Sequence, residues 1–326
     1  MANARDGVDA VSSTAPTVPS MEAWTTSPTA PGRLELTQVR TPDPGPQDVL
    51  VEVAAFAPNP GELVALASAP AGWIPGWDGA GHVVRAAADG SGPPPGARVV
   101  FLGADAGWAR RRVVPSDSVA EVPETADLTA VAAIPVPMAS ALRALRRLGS
   151  LLGRHLLIVG ANSAVGSAAV QLGARSGADV IAVARNRESH PWLRRLGARA
   201  VLADVREVTT RVHAALDMVG GPHLVAAYAA LEAGGTVVAL GHSASQEEHF
   251  PLGAFEASSG RHNRAITSFF LGAEAELSTE MAWLAGEVHA GRLDPGPLDV
   301  RSWHELPHWV AGGAARSHGR VVFRVE

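Results

Sequence analysis

The chain has 326 residues, 47% of them hydrophobic and 18% charged, with a formal net charge of −5. Such a composition excludes global disorder, gives no reason to expect a nucleic acid or other polyanionic partner, and at this length predicts about two domains. There is no apolar run approaching the roughly 18–20 residues of a membrane span, no cysteine, and all 27 basic residues are arginine. Disulfides, thiolate nucleophiles, Cys-ligated zinc lobes, Schiff-base lysines and a P-loop lysine are therefore all excluded.

Residues 1–20 mix small, polar and charged types without an apolar core. They read as a mobile N-terminal tail rather than a signal peptide, so the folded part is expected from Met21 and the location to be cytoplasmic. From Leu34 to about Pro123 the chain reads as β-rich, with strands over Val49–Ala54, Gly81–Arg85 and Arg98–Phe101. Turn signals at Pro42–Pro46, Pro58–Gly61 and Gly90–Gly96 separate them, a spacing that suits a compact, barrel-like domain.

The texture changes near Leu128. A helical pattern covers Ala139–Leu148. Strands are then expected over Leu156–Val159, Val180–Val183, Ala200–Leu202, Leu216–Val219, Thr236–Leu240 and Ile266–Leu271. Between them, helices are expected over Ala164–Ser176, Pro191–Leu196, Val205–His213 and His223–Glu232. Alternation of this kind implies βαβ units and a parallel sheet. After Gly272 one amphipathic helix places Leu277, Met281, Leu284 and Val288 on a single face. The chain ends in a strand from Arg320, which needs a sheet to join and is expected to return to the first domain.

The segment from Leu156 to Gly166, Leu-Leu-Ile-Val-Gly-Ala-Asn-Ser-Ala-Val-Gly, is a strand, a tight glycine turn and the start of a helix. Such a junction aims backbone N–H groups and a helix N-terminus at an anion, usually a dinucleotide pyrophosphate. Gly160 permits the turn and Gly166 close helix–strand packing. Asn162 lies in the turn between them, and the N–H groups of Ser163, Ala164 and Val165 face the phosphate oxygens. Ala164 stands where such loops often carry glycine, and its methyl group narrows the approach. NAD-preferring sites place an acid at the end of the second strand. Here that strand runs into Arg185 and Arg187, with no acid before Glu188. Two guanidinium groups suit a 2′-phosphate, so NADP(H) is expected over NAD(H).

Six segments in order carry a family resemblance: Phe56–Glu62 (Phe-Ala-Pro-Asn-Pro-Gly-Glu), Pro75–Val83 (Pro-Gly-Trp-Asp-Gly-Ala-Gly-His-Val), Gly107–Pro123, Asp217–Gly221, Gly234–Gly241 and Gly319–Val322. With them the chain resembles, from about Met21 to Val325, the medium-chain dehydrogenase/reductase superfamily, in its zinc-independent quinone oxidoreductase and enoyl reductase branch. The resemblance implies an α/β fold: a GroES-like β-barrel catalytic domain and a Rossmann domain with a doubly wound parallel sheet. The expected boundaries are tail 1–20, catalytic domain 21–127, NADP(H)-binding domain 128–271 and a C-terminal return to the catalytic domain over 272–326. It also implies a homodimer paired through the Rossmann sheets. Zinc-dependent relatives carry a Cys and a Gly-His-Glu segment; here those regions hold Pro58-Asn59-Pro60 and Gly76-Trp77-Asp78. His304 and His308 lack a third ligand, so no metal is expected.

By the same resemblance Asn59 is a catalytic residue, its amide bonding a substrate carbonyl or orienting water, and Ser140 is a small hydroxyl residue under the nicotinamide. Gly241 and Phe269 follow the last Rossmann strands and contact the cofactor largely through backbone. Asp78 is expected to brace its loop. Some related reductases donate a proton from a Tyr, but the one Tyr here, Tyr228, falls on a Rossmann helix, which leaves water as donor. Trp73, Trp77 and Trp108 either wall an apolar or aromatic pocket or fill the core. The expected activity is NADPH-dependent reduction of a small conjugated carbonyl (a quinone, an enone or an enoyl thioester), in secondary metabolism. Two alternatives stay open: redox-free cyclisation or rearrangement of a natural-product intermediate in the same cleft, and binding without catalysis.

Overall fold

A computed structural model of the protein describes residues 19–312 and 319–326, so the expected tail lies, up to residue 18, outside the described residues. In chain order the first part comprises β1 (Ser20–Thr26), β2 (Leu34–Arg40), β3 (Asp48–Phe56), α1 (Pro60–Ser68), β4 (Asp78–Arg85), β5 (Arg98–Leu102), β6 (Arg111–Pro115) and β7 (Val119–Glu121). Then come α2 (Leu128–Ala132), α3 (Pro135–Arg146), β8 (His155–Val159), α4 (Ala164–Arg175), β9 (Asp179–Val183), α5 (His190–Arg195) and β10 (Ala200–Leu202). The remainder is β11 (Val212–Asp217), α6 (Pro222–Ala230), β12 (Leu231–Ala239), β13 (Ala265–Ser268), α7 (Ser278–His289), β14 (Leu298–Ser302), α8 (Leu306–Ala311) and β15 (Arg320–Arg324).

One sheet has the order β10-β9-β8-β11-β12-β13, and every pair in it is parallel. Counted within this sheet the order is 3-2-1-4-5-6, the doubly wound arrangement with its switch point between β8 and β11. Leu156 to Val159 are buried because helices cover both faces of such a sheet. The second sheet runs β14-β15-β3-β4-β5-β7, with β6 also on β3. The terminal strand does return: β15 lies parallel to β14 and antiparallel to β3, pairing Phe323 with Phe56. β1 and β2 form a separate hairpin.

Separate apolar clusters hold these layers. In the β-rich part Phe56 stacks on Trp108 with ring centroids 5.8 Å apart and lies 5.7 Å from Phe323. Trp108 is fully buried, so it fills the core; a buried aromatic of this kind contributes on the order of 2–3 kcal/mol. A larger apolar cluster runs from Ala80 and Val100 through Ile134 and Met138 to Leu156 and Ile158, joining the two sheets through α3.

Three local expectations change. Pro58–Gly61 reads as a turn, yet Pro60 and Gly61 open α1, with Asn59 as N-cap and Glu62 closing a capping box. Val205–His213 reads as a helix, yet only a 3₁₀ turn forms at Val205–Glu207, capped by Asp204, and the chain is extended again from Val212. β11 therefore begins four residues before the strand expected from Leu216; its neighbours β8 and β12 override the weak helical pattern. α3 starts at Pro135 rather than Ala139, because prolines in a first turn lose no intrahelical hydrogen bond.

Candidate active site

Across the parallel sheet one row of partners reads Val183, Val159, Asp217, Ala239, Ser268. The strands therefore end level, and the residues that follow each of them share one edge. This brings together Gly160–Gly166 after β8, Arg185 and Arg187 after β9, Gly241 after β12 and Phe269 after β13.

Gly160 has φ +81°, and a Cβ on it would stand 3.0 Å from Val219 Cγ2, across the switch point. A Cβ on Gly166 would lie 2.3 Å from the Gly160 carbonyl oxygen, so Gly166 lets α4 press against its own loop. The Ser163 hydroxyl accepts from Gly166 N–H at 3.0 Å and donates to the Gly160 carbonyl at 2.8 Å. Asn162 and Ser163 are exposed, and Ala164 and Val165 half-buried. The N–H groups of Ala164 and Val165, in the first turn, have no intrahelical acceptor.

Arg185 and Arg187 are exposed, and among the described residues neither guanidinium has a hydrogen-bond or ion-pair partner. Neighbouring arginines are held: Arg199 by Asp179 at 2.8 Å, and Arg206 by Asp204 at 2.5 Å. Gly241 N–H donates to the Asp217 carbonyl at 3.3 Å, and a Cβ there would meet the Met218 carbonyl oxygen at 2.9 Å. The Phe269 ring lies 5.1 Å from the Arg147 guanidinium. Arg143 on α3 pairs with Glu274 and Glu280 at 3.2 and 2.5 Å, tying the segment after β13 to α3. The loop after β12 folds back over the edge: Glu248 accepts from Gly221 N–H at 2.7 Å and lies 3.3 Å from His242. Beneath it the buried Asp217 accepts from Val219 and Gly220 N–H, and burial pushes its carboxyl up.

On the β-rich side Asn59, Glu62 and Asp78 are 2%, 0% and 1% exposed. The Asn59 amide donates to Asp78 Oδ1 at 2.8 Å and Glu62 Oε2 at 3.0 Å, and its Oδ1 accepts from Arg320 Nη2 at 3.0 Å. Every polar atom of that side chain is thus bonded within the protein. Glu62 also accepts from the backbone N–H groups of Asn59 and Trp77. Burial first, and then the Asp78 carboxylate, push Glu62 up to about 8, against the pull of these donors. Asp78 Oδ2 accepts from Val136 N–H at 2.9 Å, in the first turn of α3, so Asp78 braces more than its own loop. Arg112 completes the group, donating to the Trp77 carbonyl at 2.7 Å; its burial lowers it to about 10.

Ser140 lies on α3, 7% exposed, with no hydrogen-bond partner among the described residues. Trp77 is half-buried and lies edge-on to Gly61, where a Cβ would meet its ring at 2.4 Å. It packs against the apolar cluster that joins the sheets. Trp73 is half-buried. Tyr228 packs with Phe250 and Phe255 under Arg264, whose guanidinium is 4.4 Å from its ring centroid. Among the described residues no group of three His, Cys, Asp or Glu could hold a metal ion. An open pocket of about 550 Å³ lies elsewhere, between α4, α5 and Gly291–Asp294; its Arg175 and Arg292 are already paired with Glu287.

The network at Asn59 was hidden from sequence reading, although Asn-Pro-Gly-Glu carries the spacing of a capping box. Nothing local to Arg320 points to Asn59, 261 residues away.

Residues 45–124 match the alcohol dehydrogenase GroES-like domain family, and residues 164–286 the zinc-binding dehydrogenase family. The mitochondrial enoyl-[acyl-carrier-protein] reductase of Xenopus tropicalis is 30% identical over 301 residues, covering 82% of this chain and 84% of its own length. The chain belongs to the medium-chain dehydrogenase/reductase superfamily. Within it the chain falls in the quinone oxidoreductase and enoyl reductase branch, with a GroES-like domain and a Rossmann domain. The trans-enoyl reductase tazE of Aspergillus terreus is 31% identical over 197 residues, 52% of this chain; the chain spans 64% of that relative's length. The quinone oxidoreductase of Coxiella burnetii has the same fold, with a TM-score of 0.78 at 21% identity, covering 94% of this chain and all of that one.

Proposed function

We propose that the chain is an NADPH-dependent, zinc-independent oxidoreductase that reduces a conjugated carbonyl: a quinone, an enone or an enoyl thioester. The observation that carries this reading is the pair of arginines, Arg185 and Arg187, without a partner among the described residues, beside the open first turn of α4. Free N–H donors next to two free guanidinium groups are the donor set of a pyrophosphate with a further phosphate one strand away. The reductases among its relatives support a redox role over cyclisation in the same cleft.

A bound nicotinamide would supply a hydride. The chain's own part is to hold the phosphates at Asn162 to Gly166, the 2′-phosphate at Arg185 and Arg187, and the ribose and carboxamide ends along Gly241 and Phe269. The uncommitted Ser140 hydroxyl is the donor available at the β-rich side, while Asn59 acts through the bonds it already makes. Half-buried Trp77 offers an apolar wall that suits an aromatic or enone substrate, and water donates the proton. Zinc independence is supported by Glu62 and Asp78, whose oxygens already accept from side-chain and backbone amide groups. The outer edge of β13 has no strand beside it among the described residues, which supports pairing of two Rossmann sheets in a homodimer.

Titration with NADPH and NADH, followed by nicotinamide fluorescence, tests the reading. Tighter NADPH binding is expected, together with oxidation of NADPH by at least one enone or quinone, unaffected by a chelator. Tighter NADH binding, or no oxidation with any acceptor, would sink it.

A further inference from the structure

Asp78 has a second office. One of its oxygens takes the amide of Asn59, on the loop before α1, and the other takes Val136 N–H, at the start of the helix that carries Ser140. A single buried carboxylate therefore sets the loop on one side against the helix on the other. Arg320 reaches the same group from β15, donating to the Asn59 Oδ1 at 3.0 Å and the Ala57 carbonyl at 3.3 Å, with Nη2 3.8 Å from Asp78 Oδ2. Its side chain is 9% exposed.

We propose that Arg320 is the positioning residue of this cleft: its guanidinium balances the buried Glu62–Asp78 pair and so fixes the Asn59 loop against the Ser140 helix. The proposal rests on the cleft being the reductase site. Buried like charges need a counter-charge or a proton. The groups facing Arg320 are Asp78 and Glu62, with Arg112 beyond them and Asp105 acting on Arg112. On the adjacent β14, Asp299 and Arg301 pair with each other at 2.6 Å. With Arg320, two guanidinium groups face the two carboxyl groups, and Glu62, pushed up to about 8, gives up its proton only above that pH. Without it the pair must hold that proton to higher pH or carry an unbalanced charge.

The sign follows. Below about pH 8 Glu62 keeps its proton with or without Arg320; above it the wild-type pair ionises against Arg320, whereas in Arg320→Met it must hold the proton or carry an unbalanced charge. Relative to wild type, the variant's loss in kcat and in melting temperature is expected to be smallest and flat below about pH 8 and to grow above it, with the kcat deficit rising up to tenfold per unit of pH once the pair's own pKa is passed. NADPH affinity is expected to stay within about twofold, because the glycine loop lies outside the network. The double variant Asp78→Asn/Arg320→Met removes one charge of each sign; a flipped Asn59 amide can then accept from the new amide. Its penalty is expected to lose the pH dependence.

A penalty constant across the pH range, or one that persists with the same slope in the double variant, overturns the proposal. If Arg320→Met alone does not fold, folding of the double variant supports it and failure of both overturns it. If wild type reduces no acceptor, the reductase reading fails, and the melting temperatures against pH still decide whether Arg320 sets the charge balance.

Discussion

The Asn59 network and the Rossmann edge treat their polar groups in opposite ways. On the β-rich side, Asn59, Glu62, Asp78 and Arg320 are buried and bonded to one another. On the Rossmann side, the Ala164 and Val165 N–H groups in the first turn of α4 and the exposed guanidinium groups of Arg185 and Arg187 have no partner among the described residues. The first set is complete before any ligand arrives, and its charges position neighbouring groups. The second is a set of donors available to a ligand. Polar residues around the proposed site are therefore not all candidate contact residues: those with spent hydrogen bonds hold neighbouring groups, and those with free ones are left to meet a ligand.

This contrast breaks first at Asp78. Asp78→Ala leaves Arg320 without that carboxylate, frees Val136 N–H and takes one of its partners from the Asn59 amide. Removing one partner of a buried pair costs about 3–5 kcal/mol, so denaturant unfolding should show a loss of that order. A loss below about 1 kcal/mol, the level of an exposed ion pair, would mean that the network is wetter than its burial indicates.

Gly166→Ala tests the Rossmann side through packing. The new Cβ would fall 2.3 Å from the Gly160 carbonyl oxygen, a backbone atom that cannot rotate away. Loop and helix must separate, at about 1–3 kcal/mol in stability, and NADPH binding should weaken with them. Unchanged binding in a destabilised variant would place the pyrophosphate elsewhere.

Arg185→Ala reads the free donors directly. An exposed, unpaired guanidinium contributes nothing measurable to folding, so the melting temperature should not move. A charge-assisted hydrogen bond to a phosphate contributes about 1.5–3 kcal/mol, so NADPH should bind about ten- to a hundredfold more weakly. NADH affinity should stay put. An equal loss for both cofactors would assign Arg185 to general attraction rather than to the 2′-phosphate.

How much of this was legible beforehand differs between the two sides for a physical reason. The Rossmann edge is built from local signals: Leu156–Val159 followed by Gly160 specifies a strand and its turn, and Gly166 the helix that packs on it. Because parallel strands end level, Arg185, Gly241 and Phe269 fall on the same edge once the strands are found. The β-rich side depends on contacts that no window contains. Asn59 meets Asp78 across 19 residues and Arg320 across 261. Only the Asn59–Glu62 spacing was local, and its prolines read as a turn. The false helix at Val205–His213 has the same origin, since its end belongs to β11, which pairs with β8 and β12.

The smallest effect is expected at Ala164, and it tests the fit of the binding side most finely. Ala164 is the first residue of α4 and half-buried, at the position where the sequence leads one to expect its methyl group to narrow the approach of a pyrophosphate. Ala164→Gly removes that methyl without touching the Ser163 cap, which bonds Gly166. At a helix terminus the glycine costs less than the 0.5–1 kcal/mol of a helix interior, so stability should fall by a few tenths of a kcal/mol. If the methyl crowds the pyrophosphate, NADPH and NADH should both bind more tightly, by about two- to fivefold, because the pyrophosphate is common to them. Weaker binding of both would show instead that the methyl group packs against the dinucleotide and that the loop is shaped to keep it. Arg185→Ala is expected to separate the two cofactors and Ala164→Gly is not, so the pair of variants tests the two ends of the proposed anion-binding edge independently.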